Sequence, residues 1–365
     1  MGPDRPIPAD SSHERPDVPL SGETLQRRVR TAEASLRKCN LCELRCGVNR
    51  AAGQRGRCGL AADTHVYKTY VSLNEELELV PALRVFLGGC NFRCPWCDEA
   101  PEAFDDVGQR VTAESWAREL QDAVDGGVTA ISLLGGEPTV HAHTILALAA
   151  AAPRPLPLAI NTNMYMTPEV LALFDGVVQW YLADFKFGND ACARRFGAGP
   201  RYSDVVRRNL LTVAASDARL IVRHVLLPGH VECCFRPVAD WVAEHLPGAR
   251  FQLYPGYIPC GAASCDPEIG RLNARSEVQA ATEYLAKLEL RRHAVGPPAS
   301  SGDIPATLGA GLASLTLGAD GRIYCHDLTP ELAALLAALC PIDGELRARR
   351  RDRGGAPLTP GISES

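Results

Sequence analysis

The sequence lacks a basic excess: 38 Lys and Arg stand against 43 Asp and Glu, for a formal net charge of −5. Non-specific binding to nucleic acid needs a positive footprint that neutralises several phosphates, so that class of partner is excluded. No block of like charge marks a membrane surface. Long apolar runs are missing too. The most apolar stretch, residues 145–160, is broken by Pro153, Arg154, Pro155 and Pro157, and such a segment does not span a bilayer. The N-terminus is polar and Pro-rich, without the apolar run of a signal peptide. Gly2 is followed at position 6 by Pro, where a myristoylation signal carries Ser or Thr. The expectation is a cytoplasmic protein with neither a membrane nor a nucleic acid as partner.

What is present is apolar mass and cysteine. Hydrophobic residues make up 46% of the 365, enough for a sizeable core, and 14 are Cys. In a chain without a secretion signal, so many thiols point to metal or redox chemistry rather than disulfides. Half of them fall before residue 98, in two tight clusters. The scattered remainder, including Cys233-Cys234, Cys260, Cys265 and the pair Cys325-His326, read as small core hydrophobes.

Apolar runs ending in Gly or Pro alternate with helical patterns from residue 83 onward. Strands are expected at 83–87, 130–134, 156–160, 177–185, 220–227 and 250–254. Helices are expected at 112–126 with Thr112 as cap, 141–152, 168–174 with Thr167 as cap, 202–215, 237–245 and 277–290. His141 and His143 read as capping residues of the second helix. Runs this continuous fit a buried parallel sheet. The fold class expected is α/β, a partial parallel (β/α)6 barrel, in which chemistry gathers at the C-terminal strand ends. Five segments follow: a disordered tail and short helix at 1–38, a Cys-rich metal-binding module at 39–82 and the barrel with its following helix at 83–294. A hairpin–helix module at 306–345 comes next, its hairpin turning at 318–321, and then a disordered tail at 346–365.

The chemistry-bearing motifs fall at those strand ends. The first predicted strand runs into Gly88-Gly-Cys90-Asn-Phe-Arg-Cys94-Pro-Trp96-Cys97. Three thiolates on one short loop hold three irons of a cubane and leave the fourth iron open to a small molecule. Gly135-Gly136-Glu137-Pro138 ends the next strand, with backbone carbonyls and a carboxylate as acceptors for an ammonium. Asn161-Thr162-Asn163, Asp184-Phe-Lys186 and Arg223 occupy later strand ends. Upstream, Cys39-x2-Cys42-x3-Cys46 and a distant Cys58, after the turn-forming Gly53 and Gly56, supply four thiolates. That set suits zinc or a second Fe–S cluster equally.

The loop of Cys90, Cys94 and Cys97, together with its position after the first strand, resembles the signature of the radical S-adenosylmethionine (SAM) superfamily. The later segments resemble activating enzymes of the pyruvate formate-lyase type, and the N-terminal cysteines an activase-like subfamily of unassigned substrate. The resemblance implies a radical SAM enzyme of oxidoreductase type. A [4Fe–4S] cluster on Cys90, Cys94 and Cys97 reductively cleaves SAM, and the resulting 5′-deoxyadenosyl radical abstracts hydrogen. Gly135, Gly136, Glu137, Asn163, Lys186 and Arg223 then bind SAM, with Trp96 beside its adenine. Thr162 and Asp184 would hold a monovalent cation, although Asn161 stands where the activase pattern has Asp. A reductant such as flavodoxin or ferredoxin is implied, together with a protein or peptide substrate. The alternatives left open are modification of a peptide or small metabolite and, in another class, a non-enzymatic zinc or Fe–S protein.

Overall fold

The buried apolar runs become the strands of one nine-stranded sheet in a computed structural model that describes residues 21–72, 77–152, 156–288, 290, 292–295, 312–317 and 323–328. In chain order the strands are β1 (His65–Ser72), β2 (Ala82–Leu87), β3 (Gln109–Arg110), β4 (Ala130–Gly135), β5 (Leu158–Thr162), β6 (Trp180–Asp184), β7 (Arg219–Val225), β8 (Arg250–Tyr254) and β9 (Arg292–Val295). They lie in the order β3-β1-β2-β4-β5-β6-β7-β8-β9. From β2 to β9 every neighbouring pair is parallel. The antiparallel β1 and β3 extend one edge. All six residues of β2 are buried, as are five of six in β4, the pattern of a parallel sheet covered on both faces. The sheet is thus the expected partial barrel, carried by seven parallel strands rather than six. The added strand, β9, is short and opens on Arg292-His293, so no apolar run announces it.

The helices are α1 (Gly22–Ser35), α2 (Ala113–Asp125), α3 (Ala142–Ala151), α4 (Pro168–Phe174), α5 (Asp190–Arg195), α6 (Tyr202–Ala214), α7 (Arg236–His245) and α8 (Arg275–Leu285). The caps read from sequence form: Thr112 Oγ1 accepts from Ser115 N and Thr167 Oγ1 from Val170 N. Three boundaries move for local reasons. Pro157 has no N–H to give to the ladder, so β5 starts at Leu158. Val177 and Val178 donate back to the Phe174 carbonyl at 2.9 and 3.0 Å, closing the turn after α4 before β6 begins. The six-residue α5 is too short to leave a periodic signal. No helix among the described residues is long and apolar enough to cross a membrane. Strands β10 (Leu312–Leu317) and β11 (Ile323–Leu328) form the expected hairpin, with Cys325 and His326 on β11. The expected tails, the linker at 295–305, the turn at 318–321 and the helix at 329–339 lie outside the described residues, apart from Val295 and positions 21–38.

Buried histidines lock the upper edge of the barrel. His141 Nε2 donates to the Gly88 carbonyl and Nδ1 accepts from Thr64 Oγ1, each at 2.8 Å. His143 Nε2 donates to Ala62 O, and His224 Nδ1 to Phe185 O, each at 2.7 Å. Neither His141 nor His143 caps α3 with its side chain; both fasten backbone instead. Burial first, reinforced for His141 and His143 by the Arg50 charge, pushes His141 well below its ordinary range and His143 to about 4. His224 likewise falls to about 4, chiefly through burial. The unfolded chain takes these protons near pH about 6.5. Between that value and about 4 the unfolded state therefore binds more protons, and stability falls as pH falls, by about 2 kcal/mol per histidine at pH 5. Thermal unfolding followed from pH 7.5 to 5 should show a steadily dropping midpoint. A flat profile would contradict the buried neutral imidazoles.

Candidate active site

Two glycine pairs dock the three-Cys loop on the next strand end. Gly136 N donates to Leu87 O at 2.8 Å and Glu137 N to Gly89 O at 2.9 Å. Gly89 and Gly135 sit at φ of +80° and +102°, a region that side chains disfavour. A Cβ on Gly136 would be driven into the Gly89 carbonyl oxygen. The paired glycines therefore let one loop approach another.

Cys90, Cys94 and Cys97 are half-buried free thiols on that loop. The loop is held from outside by Arg93 N to Gly197 O and Ala263 N to Pro95 O, both 3.0 Å. Burial raises all three thiols above their ordinary value, Cys97 to about 12. For Cys94 the Lys186 ammonium opposes that rise, which puts the Lys186 charge within electrostatic reach of the loop. Thiols this buried do not ionise unaided, and a bound cation supplies the missing charge. The donor set, three soft ligands on one loop, fits a cubane.

Glu137 is buried and accepts at Oε1 from Thr139 N (3.1 Å), Thr139 Oγ1 and Thr162 Oγ1 (2.7 Å each), and at Oε2 from Asn163 N (2.8 Å). Its carboxylate and the Thr162 hydroxyl thereby tie the end of β4 to the end of β5, with Oε2 accepting a single bond. The acceptors at this turn for an ammonium are backbone carbonyls and the second lone pair of Glu137 Oε2. Asn163 Nδ2 donates to Asn91 Oδ1 at 2.7 Å. Two buried polar atoms nearby, Asn91 Nδ2 and Asn161 Oδ1, have no hydrogen-bond partner in the protein. Buried polar groups are normally paired, so this orphaned donor and acceptor between the Cys loop and β5 fit a polar ligand such as SAM.

Parallel register sets Asp184 beside Arg223 on β6 and β7. The Asp184 carboxylate holds Lys186 Nζ at 2.6 Å and Arg223 Nε at 3.7 Å. Arg223 also lies over the Tyr254 ring, 4.8 Å from its centroid. Burial opposes the Lys186 charge, but Asp184 and then Cys94 outweigh it and raise the pKa. Trp96 is buried edge-on among Phe196, Phe187 and Tyr257, with centroids 5.3–6.2 Å away.

The N-terminal cysteines come to the same rim. Leu41 O accepts from Thr167 N, Glu43 N donates to Tyr165 O, and Cys42 forms a bridge with Met166. Cys39, Cys42, Cys46 and Cys58 line one small cavity together with Arg50, Arg57 and Val140. Arg93 of the three-Cys loop donates to Arg57 O at 2.6 Å, next in sequence to Cys58. The two cysteine clusters are therefore neighbours.

Several contributors escaped the sequence reading. Asn91 and Arg93 were visible only as spacers between cysteines. Tyr202, whose hydroxyl accepts from Lys186 N at 2.8 Å, reads as an ordinary helix start. The turn Gly261–Cys265, which rests on Pro95, has no periodic signal.

Comparison with known proteins follows this geometry. The profile of the radical SAM superfamily matches residues 85–242. An uncharacterized protein of Methanocaldococcus jannaschii is 32% identical over 273 residues, 73% of this chain and 79% of that protein. A 7-carboxy-7-deazaguanine synthase of Aquifex aeolicus is 37% identical over 82 residues, 20% of this chain and 36% of that enzyme. Among solved structures, Streptococcus suis SuiB bound to precursor peptide SuiA is similar over 57% of this chain, with 18% identity and a TM-score of 0.44; the chain spans 46% of SuiB. A domain of pyruvate-formate lyase-activating enzyme from Bacteroides vulgatus is similar over 46% of this chain and 98% of that domain, with 18% identity and a TM-score of 0.37.

Proposed function

This chain belongs to the radical SAM superfamily, and from that premise we propose that Cys90, Cys94 and Cys97 hold its [4Fe–4S] cluster and that the rim from Gly135 to Arg223 holds SAM. When bound, the cluster supplies the electron that cleaves SAM to methionine and a 5′-deoxyadenosyl radical. The observation that carries the assignment is the direct hydrogen bonding of the Gly135–Glu137 turn to the Cys loop, which puts that turn beside the three thiols. Backbone carbonyls of that turn accept the amino group of SAM. Lys186 and Arg223, steadied by Asp184, face its carboxylate and ribose. Asn163, held against Asn91, borders the ligand. Trp96 closes the adenine side by its edge. Thr162 and Asp184 would be the acceptors for a monovalent cation, with Asp184 carrying the charge. The test is product analysis: reduced protein with SAM yields 5′-deoxyadenosine and methionine, and a non-enzymatic metal protein yields neither.

Arg223→Ala should weaken SAM binding about 10- to 100-fold, the loss of one charge-assisted contact of about 1.5–3 kcal/mol. The Asp184–Lys186 pair and the iron content should persist. Unchanged SAM affinity in anaerobic equilibrium dialysis would remove Arg223 from the site.

The hydrogen donor we favour is a glycine Cα in a partner protein, on the strength of the segments Asp184-Phe-Lys186 and Arg223 that resemble glycyl radical activases. The electron comes from a flavodoxin- or ferredoxin-type reductant. Deuterium passing from α-deuterated glycine of the partner into 5′-deoxyadenosine supports this; transfer from a small metabolite or another peptide position supports the alternative.

Cys39, Cys42, Cys46 and Cys58 line a cavity beside this site, yet they are not drawn as close as the ligands of a single ion. We therefore favour a second Fe–S cluster over zinc there. The quadruple Ala variant should lose about four irons per chain and keep its zinc. Loss of one zinc instead would identify a zinc site, and an unchanged metal content would mean that these thiols only pack.

A further inference from the structure

A third set of ligand-type side chains converges on the same rim, away from both cysteine clusters. Cys192 sits on α5, which follows β6. His230 ends the turn that follows β7. Cys233 and Cys234 belong to a single π-helical turn, Val231–Phe235, that leads into α7. The π-turn inserts an extra residue ahead of α7, and both thiols face the His230 ring. Such insertions are frequent at functional sites.

The distances are those of a mononuclear tetrahedral site. Cys233, Cys234 and Cys192 Sγ lie 3.2, 3.6 and 3.7 Å from His230 Nδ1. The Cys233 sulfur is 3.9 Å from that of Cys234 and 4.0 Å from that of Cys192. With Zn–S near 2.3 Å and Zn–N near 2.0–2.1 Å, tetrahedral edges come to about 3.8 Å between sulfurs and about 3.6 Å between sulfur and nitrogen. Among the described residues, this group alone brings three or more such ligand atoms within 4.8 Å of one another. A cubane binds each thiolate to a different iron and needs a wider set.

The surroundings are arranged for ligation as well. His230 Nε2 lies 3.2 Å from Glu268 Oε1, close enough for the carboxylate to pair with the outer N–H of a metal-bound imidazole. Asn189 Nδ2 lies 3.4 Å from Cys192 Sγ and donates to Cys233 O at 2.9 Å. A Cβ on Gly188 would come 2.6 and 2.8 Å from the Cys233 and Cys234 carbonyl oxygens, so glycine is what allows the two segments to meet. Simple packing of small thiols would need neither the imidazole at their centre nor the amide directed at a sulfur.

We infer that Cys192, His230, Cys233 and Cys234 bind one zinc ion as a Cys3His structural site that ties the segment after β6 to the turn after β7. Those two strands carry Asp184 and Arg223, and Lys186 lies between β6 and α5, so the ion braces the SAM-facing rim from behind. The three thiol protons leave to solvent as the ion binds.

The test uses the full-length protein purified anaerobically. Metal analysis should give one zinc per chain that Cys192→Ser, Cys233→Ser and His230→Gln each remove while iron stays at the parent level. The parent is also alkylated with iodoacetamide and mapped by mass spectrometry, before and after a zinc chelator. Cys192 and Cys233 should be protected before chelation and labelled after it, and cobalt(II) added to the chelated protein should restore protection. The inference is overturned if zinc is unchanged in all three variants, if the parent holds no zinc and cobalt gives no protection, or if labelling ignores the chelator. Loss of zinc with iron intact leaves the assignment of the cluster to Cys90, Cys94 and Cys97 untouched, and loss of iron in those cluster variants with zinc intact leaves this one untouched.

Discussion

Replacing Cys90, Cys94 or Cys97 singly by Ala should bring 5′-deoxyadenosine formation down to the level of a protein-free control and remove about four irons per chain. The effect is all-or-none for a structural reason. Three thiolates are the fewest that leave one iron open while holding the other three, and each comes from a fixed point on one loop. Cys90 follows the Gly88-Gly89 turn, and Cys97 N is bonded to Cys94 O at 3.2 Å; no other described cysteine lies on that loop. Folding of the metal-free chain should change little, about 1 kcal/mol, because each substitution takes one sulfur from a half-buried loop position. A near-parental thermal midpoint with absent product separates loss of the cluster from unfolding. SAM cleavage by any of the three variants would refute the assignment.

The parallel sheet was legible because its signals are local. Buried runs such as 83–87 and 250–254 end where Gly or Pro stops them, and caps such as Thr112 and Thr167 mark the helices between. The three-Cys loop was legible for the same reason, the cysteines proposed as cluster ligands lying within eight residues. What depends on contacts between distant segments was not. Glu137 reads as an acceptor for a ligand, and nothing local tells that Thr162 and Asn163, 25 and 26 residues away, also bond its carboxylate. Cys233-Cys234 reads as a buried pair until β6 and β7 bring Cys192 and His230 to it. His230-x-x-Cys233-Cys234 is the one local signal, and without Cys192 it is too weak to separate from packing. Edge strand β9 and helix α5 are too short for periodicity to report.

The glycines of the rim yield the second large effect. Gly136→Ala should destabilise the protein by about 3 kcal/mol, the upper end of the usual overpacking range, and lower the thermal midpoint by about 6–12 °C for a domain of this size. The new methyl group would meet the Gly89 carbonyl oxygen, and behind it the Ala103 carbonyl at 2.8 Å. Backbone atoms do not rotate aside as a flexible side chain does, so either the turn at Gly135–Glu137 or the Cys loop has to retreat. Retreat breaks the bonds from Gly136 N to Leu87 O and from Glu137 N to Gly89 O, which link the Cys90–Cys97 loop to the turn proposed to bind SAM. SAM affinity should therefore fall along with stability, even in the fraction of molecules that keeps its iron. Gly127→Ala is the control for backbone strain alone, since that glycine, unlike Gly136, has a positive φ and a Cβ there meets nothing within 4 Å. It should cost about 1 kcal/mol of backbone strain and leave SAM binding unchanged. If both variants lose stability equally and neither loses SAM affinity, the close approach of the two loops is not what couples the cluster to its ligand.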